Sequence, residues 1–369
     1  MTTPVEIVPA NDIAQLQEKL ARALLGEITV FISQPEVNGV KPEVSDLPTH
    51  ATDTALIIES SGSTGTPKKI FLSANALEAA SRASSEVIGS GQWLLTLPTN
   101  YIAGAMVLVR SIFSQSRPVV MNAGVSFTAE AFALSSTLLT GEKRYVSLVP
   151  TQLIRLMDAS LTDTFLLNQL RKFDAVLVGG QAVAPSVMDY FRANDVKVVS
   201  SYGMAETAGG CVYDGVALPE VELRINTDGT VGIRGPMLAN NVADDTGYLN
   251  TQDIGELESG KLRVLGRADR VIISGGLKVA IDQVEDIAGA IPGVVEVAGC
   301  ALNSVEWGQR IGLVYVGSPE VADYVAQAVF EQLGPAAKPI RVLRVDRLPK
   351  LSNGKTDLLT LKTLFEGES

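Results

Sequence analysis

The residues between Ser60 and Lys69 have the composition of a loop that binds phosphate. They read Ser-Ser-Gly-Ser-Thr-Gly-Thr-Pro-Lys-Lys and follow a short apolar run that ends at Ile58. Glycines let backbone N–H groups turn toward an anion, hydroxyls add donors, and lysines add positive charge. The spacing differs from the Walker pattern G-x-x-x-x-G-K-[ST], and a flexible serine-rich turn is the alternative interpretation.

Composition and charge argue against several classes of function. The chain has 369 residues, of which 46% are hydrophobic and 19% charged, as is typical of a globular protein with two or three domains. The formal net charge of −11 argues against nucleic acid as a partner. His50 is the only histidine, which argues against a histidine triad or a multi-histidine metal site.

The expected location is the cytoplasm. The N-terminal residues lack the pattern of a signal peptide, and no apolar run is long enough to cross a bilayer, so membrane insertion is not expected. Cys211 and Cys300 are far apart in the sequence, which favours two free thiols in a reducing compartment.

Apolar runs and helical periodicity alternate along the first part of the chain, to about Gly210. Strands are predicted at 29–32, 56–58, 93–97, 118–121, 145–149, 175–178 and 196–200. Helices are predicted at 11–25, 74–88, 102–113, 128–139, 151–158 and 185–193. This alternation predicts an α/β architecture with a largely parallel sheet.

The pattern changes after about Tyr213. A hairpin signal, Asn-Thr-Asp-Gly, lies at 226–229 between two apolar runs, and we predict a small β-rich subdomain at about 213–265. This subdomain completes an N-terminal domain of residues 1–265. Residues 266–369 follow a β–helix–β–β–helix–β pattern, which predicts a small, mobile α+β C-terminal domain. Its strands are predicted at 271–274, 294–302, 311–316 and 342–345, and its helices at 282–290 and 319–333.

Four segments stand in an order that resembles a known superfamily. They are Ser60–Lys69, Ser-Tyr-Gly-Met-Ala-Glu-Thr at 201–207, Thr-Gln-Asp at 251–253 with Gly-Arg-Ala-Asp at 266–269, and Pro-Lys-Leu-Ser-Asn-Gly-Lys at 349–355. This order resembles the adenylate-forming superfamily of acyl-CoA synthetases, luciferases and peptide-synthetase adenylation domains. Within it, Ser-Leu-Val-Pro-Thr-Gln-Leu at 147–153, the segment 206–215 and the short length are most similar to o-succinylbenzoate–CoA ligases of menaquinone biosynthesis.

The resemblance implies an ATP-dependent acid–thiol ligase that works in two steps. A carboxylate attacks the α-phosphorus of ATP and gives an acyl-adenylate and pyrophosphate, and the coenzyme A thiol then displaces AMP. ATP, Mg²⁺, coenzyme A and a small carboxylic acid are the implied ligands, and a homo-oligomer is left open. Such chemistry needs positioning and charge neutralisation more than acid–base groups, which suits a chain with one histidine.

The resemblance also implies roles for individual residues. Lys355 would bridge the attacking carboxylate and the α-phosphate, Glu206 would hold Mg²⁺, and Arg267 would reach the ribose or a phosphate. Asp253 would accept hydrogen bonds from both ribose hydroxyls, and Tyr202 would stack on adenine. The full set of implied ATP-binding residues is Ser60, Ser61, Gly62, Ser63, Thr64, Gly65, Lys68, Gly180, Gln181, Ser201, Tyr202, Gly203, Asp253 and Arg267.

Candidate residues for the acyl pocket, the hinge and the coenzyme A tunnel also follow from the resemblance to the superfamily. Tyr101, Thr151 and Gly180 are candidates for the acyl pocket by their position in the sequence. Asp269 resembles the residue about which the C-terminal domain rotates between the two half-reactions. Gly275 and Gly276 resemble residues at the tunnel for coenzyme A.

Two positions depart from the superfamily pattern. Ala205 stands where a threonine or serine is usual, and the segment 97–104 lacks a histidine that is usual near Asn100 or Tyr101. Other interpretations therefore stay open. They are a different aryl- or acyl-CoA ligase, an adenylation enzyme that loads a carrier protein, and a non-catalytic relative that binds nucleotide.

Overall fold

A small, mostly parallel sheet forms the N-terminal part of the protein. The computed structural model describes residues 3–36, 53–60, 68–121, 127–350 and 356–366. The strands of this sheet, in spatial order, are β1 (Val5–Pro9), β2 (Thr29–Ser33), β3 (Thr54–Ser60) and β4 (Lys68–Ser73). The first three run parallel, and β4 returns antiparallel to β3.

A second, larger sheet forms the centre of the protein. Its strands are β5 (Gln92–Leu95), β6 (Val119–Val120), β7 (Arg144–Leu148), β8 (Ala175–Gly179), β9 (Val198–Met204), β10 (Gly209–Tyr213) and β11 (Val216–Ala217). The spatial order is β11-β10-β9-β8-β7-β5-β6, and all neighbours from β6 to β9 run parallel. The predicted largely parallel sheet is therefore present, with β10 and β11 added antiparallel at one side.

Helices cover both faces of the central sheet. They are α2 (Ala74–Ile88), α3 (Ile102–Phe113), α4 (Ala129–Ser136), α5 (Pro150–Ser160), α6 (Thr164–Leu170) and α7 (Pro185–Ala193). Helix α1 (Ile13–Leu24) packs on the first sheet and against α2 and α3. In β8, Leu177 belongs to the hydrophobic cluster that contains residues of α1, α2 and α3. Val176 and Val178 belong to a second cluster with residues of α4 to α7. A parallel sheet needs this cover because both of its faces are apolar.

An antiparallel sheet follows the central sheet. Its strands are β12 (Glu222–Ile225), β13 (Thr230–Arg234), β14 (Leu249–Glu258) and β15 (Lys261–Arg267). The predicted hairpin joins β12 to β13 through residues 226–229, where Gly229 takes a φ of +88°. β15 ends at Arg267, so Gly266 and Arg267 still belong to this sheet.

The C-terminal part has its own sheet and its own core. It contains β16 (Val271–Ser274), β17 (Leu277–Ala280), β18 (Val294–Ser304), β19 (Gly308–Gly317) and β20 (Arg341–Arg344), together with α8 (Ile281–Gly289), α9 (Ala322–Leu333) and α10 (Leu358–Thr363). The strand order is β17-β16-β19-β18, with β20 parallel to β19. Tyr315 and Val325 are fully buried in a cluster separate from those of the large sheets.

Three predicted helices have the observed bounds, namely α2, α3 and α7. The sequence prediction omitted β1, β4, β10, β17, α6 and α10. Most of these elements are short and leave little room for a periodic pattern. Within the described residues, no helix is both long and apolar enough to span a membrane.

Candidate active site

Four candidate residues lie at one edge of the central sheet. Because β5, β7, β8 and β9 run parallel, their carboxyl ends meet at the same edge. Tyr101 precedes the first residue of α3, Thr151 lies in the first turn of α5, Gly180 follows β8, and Tyr202 lies near the end of β9. This edge is the usual ligand position in an open α/β sheet. The candidates for the acyl and adenine sites thus share one side of the sheet.

The ends of β8 and β9 leave open space beside Gly180. Gly179 pairs with Ser201, and a Cβ atom on Gly179 would lie 2.8 Å from the Ser201 carbonyl oxygen. At the next residue the space opens, since a Cβ atom on Gly180 would meet no atom within 4 Å. Gly180 has a φ of +92°, which a glycine adopts without strain, and the following Gln181 is exposed. A ligand can therefore approach the backbone closely at this position.

Gly203 is required by the packing of a hairpin. It lies on β9 opposite Gly210 of β10, and a Cβ atom on Gly203 would lie 2.0 Å from the Gly209 carbonyl oxygen. The structure thus supplies a steric reason for this glycine, in addition to the nucleotide contact that the sequence predicts. The hairpin holds Tyr202 next to Ser201 at the open edge.

A line of polar side chains runs from the central sheet to the end of β15. The Tyr202 hydroxyl donates to Asp253 Oδ2 at 2.8 Å, and Arg267 Nη1 lies 3.6 Å from Asp253 Oδ1. Arg267 Nε and Nη2 in turn donate to the two carboxylate oxygens of Asp269 at 2.9 and 2.8 Å. The predicted adenine, ribose, phosphate and hinge residues are therefore in direct contact with one another.

The surroundings of Tyr202 and Asp269 determine the protonation states of these side chains. Burial, together with the neighbouring Asp253 carboxylate, raises the pKa of the Tyr202 hydroxyl, which therefore stays protonated and acts as a donor. The hydrogen bonds from Arg267 lower the pKa of Asp269 and keep it ionised. The Asp253 side chain is only 14% exposed. A carboxylate has about four acceptor positions, so Asp253 can accept further hydrogen bonds beside the one from Tyr202.

Glu206 lies in a tight turn directly after β9. Residues Ala205–Thr207 form a single 3₁₀ turn, which Ala208 ends in the left-handed region with a φ of +50°. The Thr207 hydroxyl accepts from the Met204 N–H at 2.9 Å and donates to the Gly209 carbonyl oxygen at 2.7 Å. Ala205 is buried in the hydrophobic cluster of α1 to α3, so its methyl group serves as a core side chain.

The turn with Glu206 is linked to β4, the strand that follows the predicted phosphate loop. The Glu206 carbonyl oxygen accepts from the Ala239 N–H, and the Phe71 carbonyl oxygen of β4 accepts from the Asn240 N–H, both at 2.8 Å. β4 pairs with β3, and the last pair is Ser60 with Lys68. The predicted loop therefore lies in sequence between two paired strands, and the second of them is linked to the turn of Glu206 through residues 239 and 240.

Several predicted residues lie outside the described residues. They are Ser61, Gly62, Ser63, Thr64, Gly65 and Lys355. Lys350 and Thr356, the described residues that flank the segment containing Lys355, form an antiparallel bridge.

The comparisons with known proteins identify the family. Residues 5–264 match the family model described as AMP-binding enzyme, and residues 283–355 match the model described as AMP-binding enzyme C-terminal domain. The protein of Mycobacterium tuberculosis named probable 2-succinylbenzoate–CoA ligase is 38% identical over 333 residues, which cover 86% of this chain and 86% of that protein. This chain belongs to the AMP-binding enzyme family.

Two further similarities extend over most of the AMP-binding enzyme. The 2-succinylbenzoate–CoA ligase of Escherichia coli is 27% identical over 384 residues, which cover 94% of this chain and 79% of that protein. The structure of o-succinylbenzoate CoA synthetase from Bacillus subtilis in complex with its acyl-adenylate intermediate matches with a TM-score of 0.79 at 21% identity. The structural match covers 98% of this chain and 88% of the B. subtilis chain. The predicted α/β fold with a smaller C-terminal domain is thereby confirmed.

The residues of this AMP-binding enzyme fit a magnesium ion that arrives with its nucleotide. Mg²⁺ is commonly held by one or two carboxylates together with substrate phosphates. Glu206 is half-buried, and among the described residues no hydrogen bond or ion pair engages its carboxylate. No group of three or more His, Cys, Asp or Glu side chains that could hold an ion by themselves occurs in that part of the chain. A single carboxylate on a turn that is linked to β4, the strand after the predicted phosphate loop, matches this mode of binding.

The two glycines predicted for the coenzyme A tunnel form the tip of a hairpin in the C-terminal domain. Gly275 and Gly276 join β16 to β17 with φ values of +57° and +82°, the left-handed conformations of a tight type I′ turn. A Cβ atom on Gly275 would lie 2.5 Å from the ring of Trp307. No contact that the structure describes joins this hairpin tip to Tyr202 or Asp253.

Sequence reasoning missed Arg155 as a candidate for the acyl site. Arg155 lies four residues after Thr151 on α5, a spacing that places both side chains on the same face of the helix. It is exposed, and its Nη1 donates to the Phe127 carbonyl oxygen at 3.3 Å. The helical spacing from Thr151 was the available signal.

Proposed function

We propose that this AMP-binding enzyme is an o-succinylbenzoate–CoA ligase. The observation that carries the proposal is its similarity to the M. tuberculosis relative, which extends over 86% of both chains. The location of Tyr101, Thr151, Gly180 and Tyr202 on elements at one edge of the sheet supports one site for the acid and the nucleotide. The cytoplasm is the proposed location because both co-substrates, ATP and coenzyme A, are produced and used there.

The proposed reaction has two steps. In the first, a carboxylate oxygen of o-succinylbenzoate attacks the α-phosphorus of ATP, and the bond to the bridging oxygen of pyrophosphate breaks. In the second, the thiol sulfur of coenzyme A attacks the activated carbonyl carbon, the carbon–oxygen bond to AMP breaks, and the thiol proton goes to solvent. Both steps bring anions together, so fixed donors and cations carry the catalysis.

The nucleotide is proposed to bind along the line of polar side chains. Asp253 accepts hydrogen bonds from the ribose hydroxyls, and the bond from Tyr202 fixes the orientation of the carboxylate. Tyr202 follows the Gly179–Ser201 pair on β9, and no atom lies within 4 Å of a Cβ placed on Gly180, which supports adenine binding at this edge. Arg267 reaches the ribose or a phosphate from the end of β15. Ser60–Lys69 surrounds the terminal phosphates.

Glu206 is proposed to hold Mg²⁺ against these phosphates. The ion supplies positive charge that weakens the repulsion between the carboxylate substrate and the triphosphate. The hydrogen bonds that link Ala239 to Glu206 and Asn240 to Phe71 keep the turn and the loop hairpin together. These bonds support the proposal that Glu206 faces the phosphates held by the predicted loop.

The second carboxylate of o-succinylbenzoate is proposed to bind Arg155. A buried anion needs a cation or several donors. Arg155 presents a guanidinium on the face of α5 that carries Thr151, and its guanidinium has donors beyond the one bound to Phe127. Tyr101 offers an aromatic ring for the benzene ring of the acid at the same edge.

The two half-reactions are proposed to use two arrangements of the domains. In one, Lys355 reaches the α-phosphate and the attacking carboxylate. In the other, the part of the C-terminal domain that follows Asp269 has rotated about that residue, and the hairpin tip at Gly275 and Gly276 lines the path of coenzyme A. A lysine on a moving domain can supply positive charge in the first step and be withdrawn for the second.

The proposal is tested by thioester formation from o-succinylbenzoate, ATP with Mg²⁺, and coenzyme A. Benzoate, which lacks the second carboxylate, and hexanoate, which lacks the aromatic ring, are the matched controls. We expect o-succinylbenzoyl-CoA and AMP in equal amounts, and much slower reaction of both controls. Faster turnover of either control would contradict the proposed substrate, and transfer to a carrier protein in preference to coenzyme A would contradict the proposed acceptor.

A further inference from the structure

Asp282 connects the two sides of the proposed hinge. It is the second residue of α8, and its side chain is 19% exposed. Its Oδ2 accepts from the backbone N–H of Arg267 at 2.6 Å, and its Oδ1 accepts from the guanidinium of Arg270. Asp269, the proposed pivot, lies between these two partners in the chain. One carboxylate therefore spans the point about which the C-terminal domain would rotate.

Arg270 is fixed to the C-terminal domain. Its Nη2 donates to Glu285 Oε1 at 2.5 Å and to the Gly299 carbonyl oxygen at 3.1 Å, and its Nη1 donates to Glu285 Oε2 at 3.0 Å. Glu285 also accepts from the Gly299 N–H at 2.6 Å. These bonds join Arg270 to α8 and to β18, so Arg270 moves with that domain.

Arg267 is fixed to the large domain. It is the last residue of β15, where it pairs with Asp253 of β14, and its guanidinium lies 3.6 Å from the Asp253 carboxylate. The approach of Asp282 depends on the preceding Gly266, which has a φ of +141° and whose Cβ atom, if present, would lie 2.6 Å from Asp282 Oδ2. A rotation at Asp269 would separate the Arg267 N–H from Asp282.

We propose that Asp282 is a positioning residue that holds the two domains in the arrangement seen here by linking Arg267 to Arg270 across Asp269. The inference rests on the proposed function, because the two half-reactions supply the need for a second arrangement. The same bond fixes the backbone of Arg267, whose guanidinium Asp253 and Asp269 share. Release of Asp282 therefore frees the hinge and removes one of the bonds that position Arg267.

Two variants separate the contacts of Asp282, and a third variant serves as the control. Asp282→Ala removes both bonds, whereas Asp282→Asn keeps an acceptor oxygen for the Arg267 N–H and removes the charge that faces Arg270. Glu285 still holds Arg270 in both variants. The matched control is Asp286→Asn, which makes the same change of charge one turn further along α8 at an exposed position.

The first measurement is the separation of the domains, obtained by pulsed electron spin resonance between two spin labels. Labels are attached through Glu130→Cys on α4 and Gln332→Cys on α9, which are both exposed. Cys211 and Cys300 are 1% and 7% exposed. Burial raises the pKa of their thiols to about 12 and about 11, so the introduced cysteines react first. In Asp282→Ala we expect the population at the present separation to fall about tenfold relative to all others.

The second measurement is the ratio of the two half-reaction rates. ATP–pyrophosphate exchange reports adenylation, and the conversion of preformed acyl-adenylate with coenzyme A reports thioester formation. We expect this ratio to change about threefold or more in Asp282→Ala, less in Asp282→Asn, and not at all in Asp286→Asn. A residue with a merely structural role would lower both rates together.

The outcomes distinguish this inference from the proposed function. Unchanged label separations in a folded Asp282→Ala protein would overturn the inference, whether or not both half-reactions are lost equally. If Asp282→Ala does not fold, the same comparison is made between Asp282→Asn and Asp286→Asn. A wild-type protein that forms no thioester from o-succinylbenzoate would contradict the proposed function, while the label separations would still decide the role of Asp282.

Discussion

Replacement of Asp253 by asparagine should weaken ATP binding through the loss of one charged hydrogen bond to the ribose. In the structure, one oxygen of Asp253 accepts from Tyr202 at 2.8 Å and the other lies 3.6 Å from Arg267. Asparagine has nearly the same shape but a single acceptor oxygen, so it cannot serve Tyr202 and both ribose hydroxyls. A hydrogen bond to a charged group contributes about 1.5–3 kcal/mol. The KM for ATP should therefore rise by about 10- to 100-fold, at about 1.4 kcal/mol for each factor of ten.

The assay is ATP–pyrophosphate exchange at saturating o-succinylbenzoate, with ATP and 2′-deoxy-ATP as alternative nucleotides. The wild-type enzyme should bind 2′-deoxy-ATP more weakly than ATP, because one ribose donor to Asp253 is missing. Asp253→Asn should show a smaller difference between the two nucleotides, since the substitution and the analogue remove the same contact. This double comparison isolates the bond from indirect effects on the fold.

The matched control is Gln252→Ala, next to Asp253 on β14 at an exposed position. It should leave the KM for ATP and the preference for ATP over 2′-deoxy-ATP unchanged. A folded Asp253→Asn protein with the wild-type KM for ATP would refute the proposed ribose contact. An Asp253→Asn protein that keeps the full wild-type preference for ATP over 2′-deoxy-ATP would also refute it.

Three further predictions address the other parts of the account. Lys355→Ala should abolish adenylation, measured by pyrophosphate exchange, yet preserve thioester formation from preformed acyl-adenylate. Arg155→Ala should raise the KM for o-succinylbenzoate about tenfold or more but leave the KM for benzoate unchanged, because benzoate lacks the second carboxylate. Gly203→Ala should lower the free energy of unfolding by about 1–3 kcal/mol, measured with urea, because the new methyl group would lie 2.0 Å from the Gly209 carbonyl oxygen.

Each of these predictions has an outcome that contradicts it. Equal loss of both half-reactions would remove the step-specific role of Lys355. Equal effects of Arg155→Ala on o-succinylbenzoate and benzoate would place that arginine away from the second carboxylate. Wild-type stability of Gly203→Ala would show that the hairpin of β9 and β10 can open to accept a side chain.

Local sequence signals were sufficient where an element is long and has clear ends. Helix α2 has the predicted bounds because apolar residues recur at helical spacing between a capping serine and a terminating glycine. Ser73 accepts from the Ala76 N–H at 3.1 Å, and Gly89 follows with a φ of +90°. Strand β4 has only six residues, too few to show a clear period between boundary residues, and the prediction missed it.

The candidate site could be predicted only in part, because its contacts join distant segments. The motif resemblance predicted separate roles for Tyr202 and Asp253, but their hydrogen bond spans 51 residues of sequence and depends on the meeting of two sheets. The bond from the Arg267 N–H to Asp282 has no sequence signal at all, because it depends on the backbone path at Gly266. Patterns in one chain indicate residue types, whereas such pairs follow from the fold.

The proposed function requires that a carboxylate of o-succinylbenzoate attacks the α-phosphorus of ATP in this site. The most direct test uses o-succinylbenzoate labelled with ¹⁸O in its carboxylates, followed by mass spectrometry of the products after thioester formation. We expect each AMP to carry one labelled oxygen, since the attacking oxygen stays with phosphorus when coenzyme A displaces AMP. Label in inorganic phosphate, or AMP without label, would contradict it.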